Sequence, residues 1–350
     1  MKKRFFSLIA IALSAALITG CSGKAEPVVP TSVPTATEAP TATPEPTATS
    51  TPTPEPTATP EPTATPTPRP FYASIIPTAY TTYIGQGGTI EDITYMAHDY
   101  IGDGEPVEKR AHVYLPAGYD ESKQYNVLYL MHGIGGDENE WGMTGRSSNV
   151  KKIMDCLSER EEIDPFIVVT PNGKALACPY TDGTNAFYQF GYELRNDLIP
   201  YIESHYSTYA EYNEEGYDLT ATRNHRAMAG LSMGGMQTIN IGICECLDII
   251  SWFGAFSAAP TSYAASKVAN TINESEYNID FFYNICGTND GTAYWSHSNA
   301  AKNLNLYSDK LTVGKNYKWQ EKGGGHDFNI WYLGFYNFAR IAFNPDIPEE

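Results

Sequence analysis

The six residues Gly230-Leu231-Ser232-Met233-Gly234-Gly235 constrain this chain more than any other stretch. Arg226 to Ala229, just before them, reads as a short buried strand, and Met236 to Leu247, just after, as a helix. A serine on so tight a strand-to-helix turn, with glycine two places to either side, is the G-x-S-x-G elbow pattern. The glycines have a steric reason. The turn forces Ser232 into a strained backbone conformation, and strand and helix then pass so closely that a side chain at 230 or 234 would collide. The hydroxyl is held up at the end of a sheet with a helix N-terminus beneath it. The Met233 N–H points to where a negative oxygen would develop. The plainer reading is a glycine-rich turn with a capping serine, so the rest of the chain must supply partners.

The surroundings define the architecture. Gly88 to Tyr100 and Glu108 to Leu115 alternate apolar and polar residues around Gly102-Asp103-Gly104, as an antiparallel pair does. Tyr125 to Met131 and Phe166 to Thr170 are near-continuous apolar runs, as expected of strands buried on both faces. Trp252 to Ser257, Phe281 to Cys286 and Tyr317 to Glu321 are further short strands. Helices are expected over 147–160, over Gly191 to Tyr206 with Leu194, Leu198, Ile199 and Ile202 on one face, and from Ile330 to Ile341. Strands alternating with helices imply an α/β domain, with a mostly parallel central sheet and helices on both faces. Chemistry in such sheets sits at the carboxyl ends of the strands. The loops 137–149, 174–190 and 258–280 are left to form pocket walls.

A serine hydroxyl needs a base to take its proton and an acid to orient that base. His326 follows a strand and three glycines, which puts it on a loop at the same sheet edge as Ser232. His98 and His112 lie in the opening strands, His205 ends a helix, and His225 precedes the elbow strand at its other end. His297, in a Ser/Asn-rich segment, stays open as a second base. Asp290 follows Phe281 to Cys286 at another carboxyl end and is the expected orienting acid, with Asp309 and Asp327 as alternatives. His132-Gly133-Ile134-Gly135-Gly136 is a flexible loop after a buried strand. It can aim the Ile134 N–H, alongside that of Met233, at a carbonyl oxygen. His132 itself reads as a loop-fixing residue. The order Ser, Asp, His along the chain is that of the α/β-hydrolases.

Outside the folded part the sequence changes character. Lys2-Lys3-Arg4, the apolar run Phe5 to Ile18 and Thr19-Gly20-Cys21 read as a signal peptide over 1–20 with a lipidated Cys21 heading residues 21–26. That predicts a lipoprotein on the extracellular face of a bacterial cell membrane, held by lipid chains alone. Residues 27–70 hold 14 of the 24 prolines, with Pro-Glu-Pro-Thr-Ala-Thr starting at 44, 54 and 60. This is the composition of a disordered, extended spacer; at about 3 Å per residue it would reach on the order of 130 Å. The catalytic domain is then expected over 71–350.

The formal net charge is −18, and loss of residues 1–20 makes the chain three units more acidic. That disfavours nucleic acid or anionic polymers as partners. The 25 tyrosines supply faces that could stack on sugar or aryl rings. Beyond Cys21, residues 156, 178, 244, 246 and 286 are cysteine, an odd number with no zinc-like Cys/His spacing. Most read as buried thiols, and no disulfide pairing is assigned.

Five segments together resemble the bacterial feruloyl esterases of the first carbohydrate esterase family, relatives of the esterase D type. They are Tyr-Leu-Met-His-Gly-Ile-Gly-Gly (129–136), Glu-Leu-Arg-Asn-Asp-Leu-Ile-Pro-Tyr-Ile-Glu (193–203), Ala-Gly-Leu-Ser-Met-Gly-Gly (229–235), Cys-Gly-Thr-Asn-Asp (286–290) and Gly-Gly-Gly-His-Asp-Phe (323–328). The resemblance spans about residues 85 to 341. It implies an α/β-hydrolase fold without metal or organic cofactor, a triad of Ser232, Asp290 and His326, and ester substrates on plant cell-wall arabinoxylan. Acetyl xylan ester hydrolysis and acyl transfer onto cell-envelope sugars are the neighbouring enzymatic readings. A glycan-binding module on a degenerate hydrolase fold is the non-enzymatic one. Many relatives sit beside xylanase or carbohydrate-binding modules, whereas this chain carries a tether.

Overall fold

Among the described residues there are ten strands, most of them where the sequence alternates or runs apolar. The hairpin β1 (Thr89–His98) and β2 (Pro106–Leu115) comes first, then β3 (Val127–Met131) and β4 (Ile167–Pro171), each buried along its whole length. A small ribbon, β5 (Tyr212–Asn213) and β6 (Gly216–Tyr217), precedes β7 (Arg226–Leu231), β8 (Trp252–Phe256), β9 (Phe281–Gly287) and β10 (Tyr317–Lys322). The computed structural model describes residues 71–175, 184–210, 212–213, 216–344 and 346–347. The expected signal peptide, Cys21, spacer and Cys178 lie outside the described residues.

Eight strands form one sheet in the order β1-β2-β4-β3-β7-β8-β9-β10. From β4 to β10 all neighbours are parallel, while β1 and β2 add an antiparallel edge. The chain enters the parallel set at β3, adds β4 on one side, then β7 to β10 on the other. The order therefore reverses between β3 and β7, and the crevice of such a sheet opens beyond the carboxyl ends of that pair. Those ends are His132-Gly133 and Ser232.

Period-2 alternation sorts each strand between two cores. Val127, Tyr129 and Met131 join Val169, Met228 and Phe253 on one face, under Leu194, Leu198, Ile202, Val268 and Ile272. Leu128, Leu130, Val168, Ala227 and Ala229 face the other way, against Ile153, Leu157, Phe335 and Phe338. The covering helices are α1 (Asn149–Glu159), whose first turn is capped by Ser148 Oγ accepting from Lys151 N–H, α2 (Thr184–Glu193), α3 (Ile199–His205), α4 (Met233–Gln237), α5 (Ala265–Glu274), α6 (Tyr294–His297) and α7 (Phe328–Ile341). The wide turns Leu194–Leu198 and Thr238–Ile243 carry α2 into α3 and prolong α4.

Three expectations change. The elbow helix starts at Met233 rather than Met236, because Ser232 alone takes up the turn, and its helical course ends at Ile243. The segment 258–280, expected as loop, contains α5, whose buried residues Ala265, Val268, Ala269 and Ile272 recur at helical spacing. Ser, Asn, Lys and Thr between them dilute that signal below recognition. The helix expected from Gly191 already runs from Thr184, inside the presumed wall loop 174–190.

The amino end of β7 is pinned by a buried ion pair. Arg226 is fully buried and donates from Nε to Glu203 Oε1 at 2.6 Å and from Nη2 to Glu203 Oε2 at 2.8 Å. Nη1 reaches Ile249 O at 3.1 Å and Nη2 reaches Thr222 Oγ1 at 2.7 Å. A guanidinium fork satisfied in this way locks β7 against α3 and sets the height at which the elbow emerges.

Candidate active site

Ser232 has φ +50° and ψ −113°, a region a non-glycine residue occupies only when its surroundings enforce it. The enforcement is visible. Ser232 N–H donates to Phe256 O at 3.0 Å, and Ser232 O accepts from Met236 N–H at 3.0 Å and Ala259 N–H at 2.9 Å. A Cβ at Gly230 would lie 2.6 Å from Gly234 C, and one at Gly234 would lie 2.5 Å from Met131 O. Strand, elbow and the end of β3 leave no room for either.

The structure brings Ser232, His326 and Asp290 into one line. Ser232 Oγ is 3.0 Å from His326 Nε2, and His326 Nδ1 is 2.8 Å from Asp290 Oδ2. A carboxylate can only accept from Nδ1–H, which leaves the Nε2 lone pair for the serine O–H. Trp331 holds the imidazole edge-on, its ring centroid 5.1 Å away. Asp290 Oδ1 accepts from Thr292 N–H at 3.0 Å and Ala293 N–H at 2.8 Å. Burial pushes the Asp290 carboxyl up, but the hydrogen bonds from His326, Ala293 and Ser257 outweigh it and hold the group below its ordinary value.

The loops carrying the acid and the base are fastened to each other. Thr288 N–H donates to Lys322 O at 2.8 Å and Asn289 N–H to Gly324 O at 2.9 Å. A Cβ at Gly287 would lie 2.4 Å from Gly324 O. The close pass explains glycine at 287 and ties Asp290 to His326 through main chain as well as side chain.

On the opposite side, Met233 begins α4 and the β3 loop lies against the serine: a Cβ at Gly133 would be 3.2 Å from Ser232 Cβ. Gly133 N–H is already used, donating to Glu140 Oε2 at 2.5 Å, so Ile134 carries the next main-chain donor along this loop. His132 is buried beneath it. Its Nδ1 is 2.8 Å from Gly133 O and its Nε2 accepts from Gly173 N–H at 2.9 Å. Burial lowers its pKa to about 4, so the ring is neutral and joins the loops after β3 and β4.

The remaining candidates are occupied elsewhere. His297 is buried, accepts from Ala258 N–H on Nδ1 at 3.1 Å and meets Asn284 Oδ1 through Nε2 at 3.0 Å; burial lowers its pKa to about 3. Asp327 caps α7 by accepting from Asn329 N–H at 2.8 Å, and Asp309 is exposed. Two residues escaped the sequence reading. Gln237 Nε2 donates to Gly173 O at 2.8 Å and Phe187 O at 2.9 Å, bracing the loop after β4 against α2. Glu140 is the other; nothing in its local sequence sets it apart from the neighbouring acids Asp137 and Glu138. Among the described residues, no group of three or more His, Cys, Asp or Glu side chains converges as metal ligands would. Of the cysteines, 156, 244, 246 and 286 carry free thiols.

The family model "Esterase: Putative esterase" matches residues 107–262. The chain is 36% identical over 205 residues to Endo-1,4-beta-xylanase Y of Acetivibrio thermocellus, covering 57% of this chain and 17% of that protein. It is 34% identical over 157 residues to the Endo-1,4-beta-xylanase/feruloyl esterase of Xylanibacter ruminicola, covering 43% and 19%. The chain thus spans less than a fifth of the length of either relative. Among solved structures it is similar to the ferulic acid esterase of the anaerobic fungus Anaeromyces mucronatus, with TM-score 0.62 and 25% identity over 77% of this chain and 97% of that one. The feruloyl esterase module from Clostridium thermocellum, solved with sinapinate, gives TM-score 0.62 and 28% identity over 80% and 98%. With its elbow, its switch-point crevice and these relatives, the chain has an α/β-hydrolase fold similar to that of the feruloyl esterases.

Proposed function

We propose that this chain is a serine carboxylic-ester hydrolase that releases ferulic or a related hydroxycinnamic acid from arabinoxylan. The observation that carries the reading is the hydrogen-bonded line from Ser232 through His326 to Asp290. Ser232 Oγ attacks the ester carbonyl while His326 Nε2 takes its proton, and Asp290 stabilises the imidazolium. The N–H groups of Met233 and Ile134 take the tetrahedral oxyanion. His326 returns the proton to the departing sugar alcohol. Water, deprotonated by the same imidazole, then attacks the acyl-enzyme, and the acid leaves with Ser232 restored.

The choice of acyl group rests on the relatives, which include feruloyl esterases, an endo-1,4-beta-xylanase/feruloyl esterase and an endo-1,4-beta-xylanase. A panel of methyl ferulate, an aryl acetate and acetylated xylan tests it. Methyl ferulate is expected to give the highest kcat/KM, by tenfold or more. Preference for acetylated xylan would make the protein an acetyl xylan esterase instead. Turnover only when a sugar acceptor is present would make it an acyltransferase.

The basic, apolar and small-residue pattern ahead of Cys21 supports a lipoprotein on the outer face of the cell membrane, with residues 27–70 as its stalk. Cys21→Ala is expected to move the esterase from the membrane fraction to the medium. An unchanged distribution between the two would count against lipid anchoring.

A further inference from the structure

The loop that presents the Ile134 N–H has to hold one peptide still, yet Gly133, Gly135 and Gly136 give it little stiffness, and Gly135 sits at φ +76°. The stiffness comes from the segment that follows. Gly133 N–H donates to Glu140 Oε2 at 2.5 Å. Gly136 rests on the same carboxylate, for a Cβ there would come within 2.3 Å of Oε2. The Trp141 indole N–H donates to Met131 O at 2.9 Å, and Glu140 N–H donates to Asp137 O at 3.1 Å. Residues 131–141 thereby close on themselves, with the Glu140 carboxylate inside the closure and Gly133 against Ser232.

We propose that Glu140 is the positioning residue of the oxyanion loop: by accepting the Gly133 N–H, its carboxylate turns the following peptide so that the Ile134 N–H faces the reacting carbonyl oxygen. The inference rests on the ester-hydrolase reading above. A hydrogen bond to an ionised carboxylate is roughly twice as strong as one between neutral groups, which suits a glycine-rich segment that must not wander. The charged groups that bear on the carboxyl are Asp137, Lys174 and His326. Burial raises its pKa and the Gly133 N–H lowers it; Asp137 raises it, while Lys174 and His326 lower it.

The test compares the full chain with Glu140→Ala and Glu140→Gln by hydrogen exchange of the 132–137 segment and by steady-state hydrolysis of methyl ferulate. Glu140→Ala is expected to speed exchange of the Gly133 amide at least tenfold. It is expected to lower kcat by about 10- to 100-fold, less than outright loss of an oxyanion donor, with KM within about threefold. Glu140→Gln keeps an acceptor of the same reach and is expected to recover most of both losses. Unchanged exchange in Glu140→Ala overturns the proposal whatever the activity. A glutamine variant as poor as the alanine one overturns it too, since charge rather than loop geometry would then be at work. An unmutated chain that hydrolyses none of the esters would instead remove the underlying reading, and the exchange comparison would still decide the structural role of Glu140.

Discussion

Ser232→Ala lowers kcat by at least ~10⁴ while leaving the fold and ester binding intact. The substitution removes Oγ and the hydrogen bond 3.0 Å from His326 Nε2, and little else. Alanine occupies the same φ of +50° with the same Cβ, so the elbow's main-chain bonds to Phe256, Met236 and Ala259 remain. The His326–Asp290 pair keeps its geometry, and the main-chain N–H groups of Met233 and Ile134 proposed above as oxyanion donors are untouched. What remains is the modest acceleration that an oxyanion site and a binding surface give to attack by water. A serine held in a strained conformation for chemistry contributes nothing to stability, so the thermal midpoint should be unchanged or slightly higher. Reaction with a fluorophosphonate, which labels the unmutated chain, should disappear. Substantial ester hydrolysis by a folded Ser232→Ala chain would rule out nucleophilic attack by this residue. Failure of the unmutated chain to take the label at all would favour a glycan-binding module on a hydrolase fold.

What could be read from the sequence followed from how local the physical constraint is. The elbow was legible because a single turn dictates its glycines and its serine together. The strands β3, β4, β7, β8 and β9 were legible because burial on both faces leaves continuous apolar runs. The convergence of Ser232, His326 and Asp290 at one sheet edge was inferable from topology, since each follows the carboxyl end of a strand. Helix α5 was not legible, because two of its four buried residues are alanines whose helical spacing is masked by polar neighbours. Gly287 stands out in the sequence only as one residue of Cys-Gly-Thr-Asn-Asp (286–290). Its tight approach to Gly324 O depends on how the loops after β9 and β10 pass each other, which no single stretch records. Glu140 and Gln237 belong to the same class. Their partners are main-chain groups at Gly133, Gly173 and Phe187, which leave no signature in the sequence beside them.

Asp290→Asn should cost about as much as removing the nucleophile's base, near 10⁴ in kcat, although nothing visible moves. The reason lies in the other carboxylate oxygen. Asp290 Oδ1 already accepts two main-chain N–H groups, from Thr292 at 3.0 Å and Ala293 at 2.8 Å. An asparagine in this pocket must turn its carbonyl to that side, because its NH₂ facing two donors would leave all of them unsatisfied in a buried site. The NH₂ then faces His326 Nδ1, 2.8 Å from where the carboxylate stood. Nδ1 can engage it only as an acceptor, so the ring proton moves to Nε2. Nε2–H points at Ser232 Oγ and cannot take its proton. The imidazole stays in place in the wrong tautomer, and the loss falls on kcat with KM little altered. The measurement pairs steady-state kinetics with the downfield proton resonance of the imidazole Nδ1–H, expected in the unmutated chain and absent from the variant. A folded Asp290→Asn chain that lost less than tenfold, or that kept this resonance, would show that His326 takes its orientation from another group.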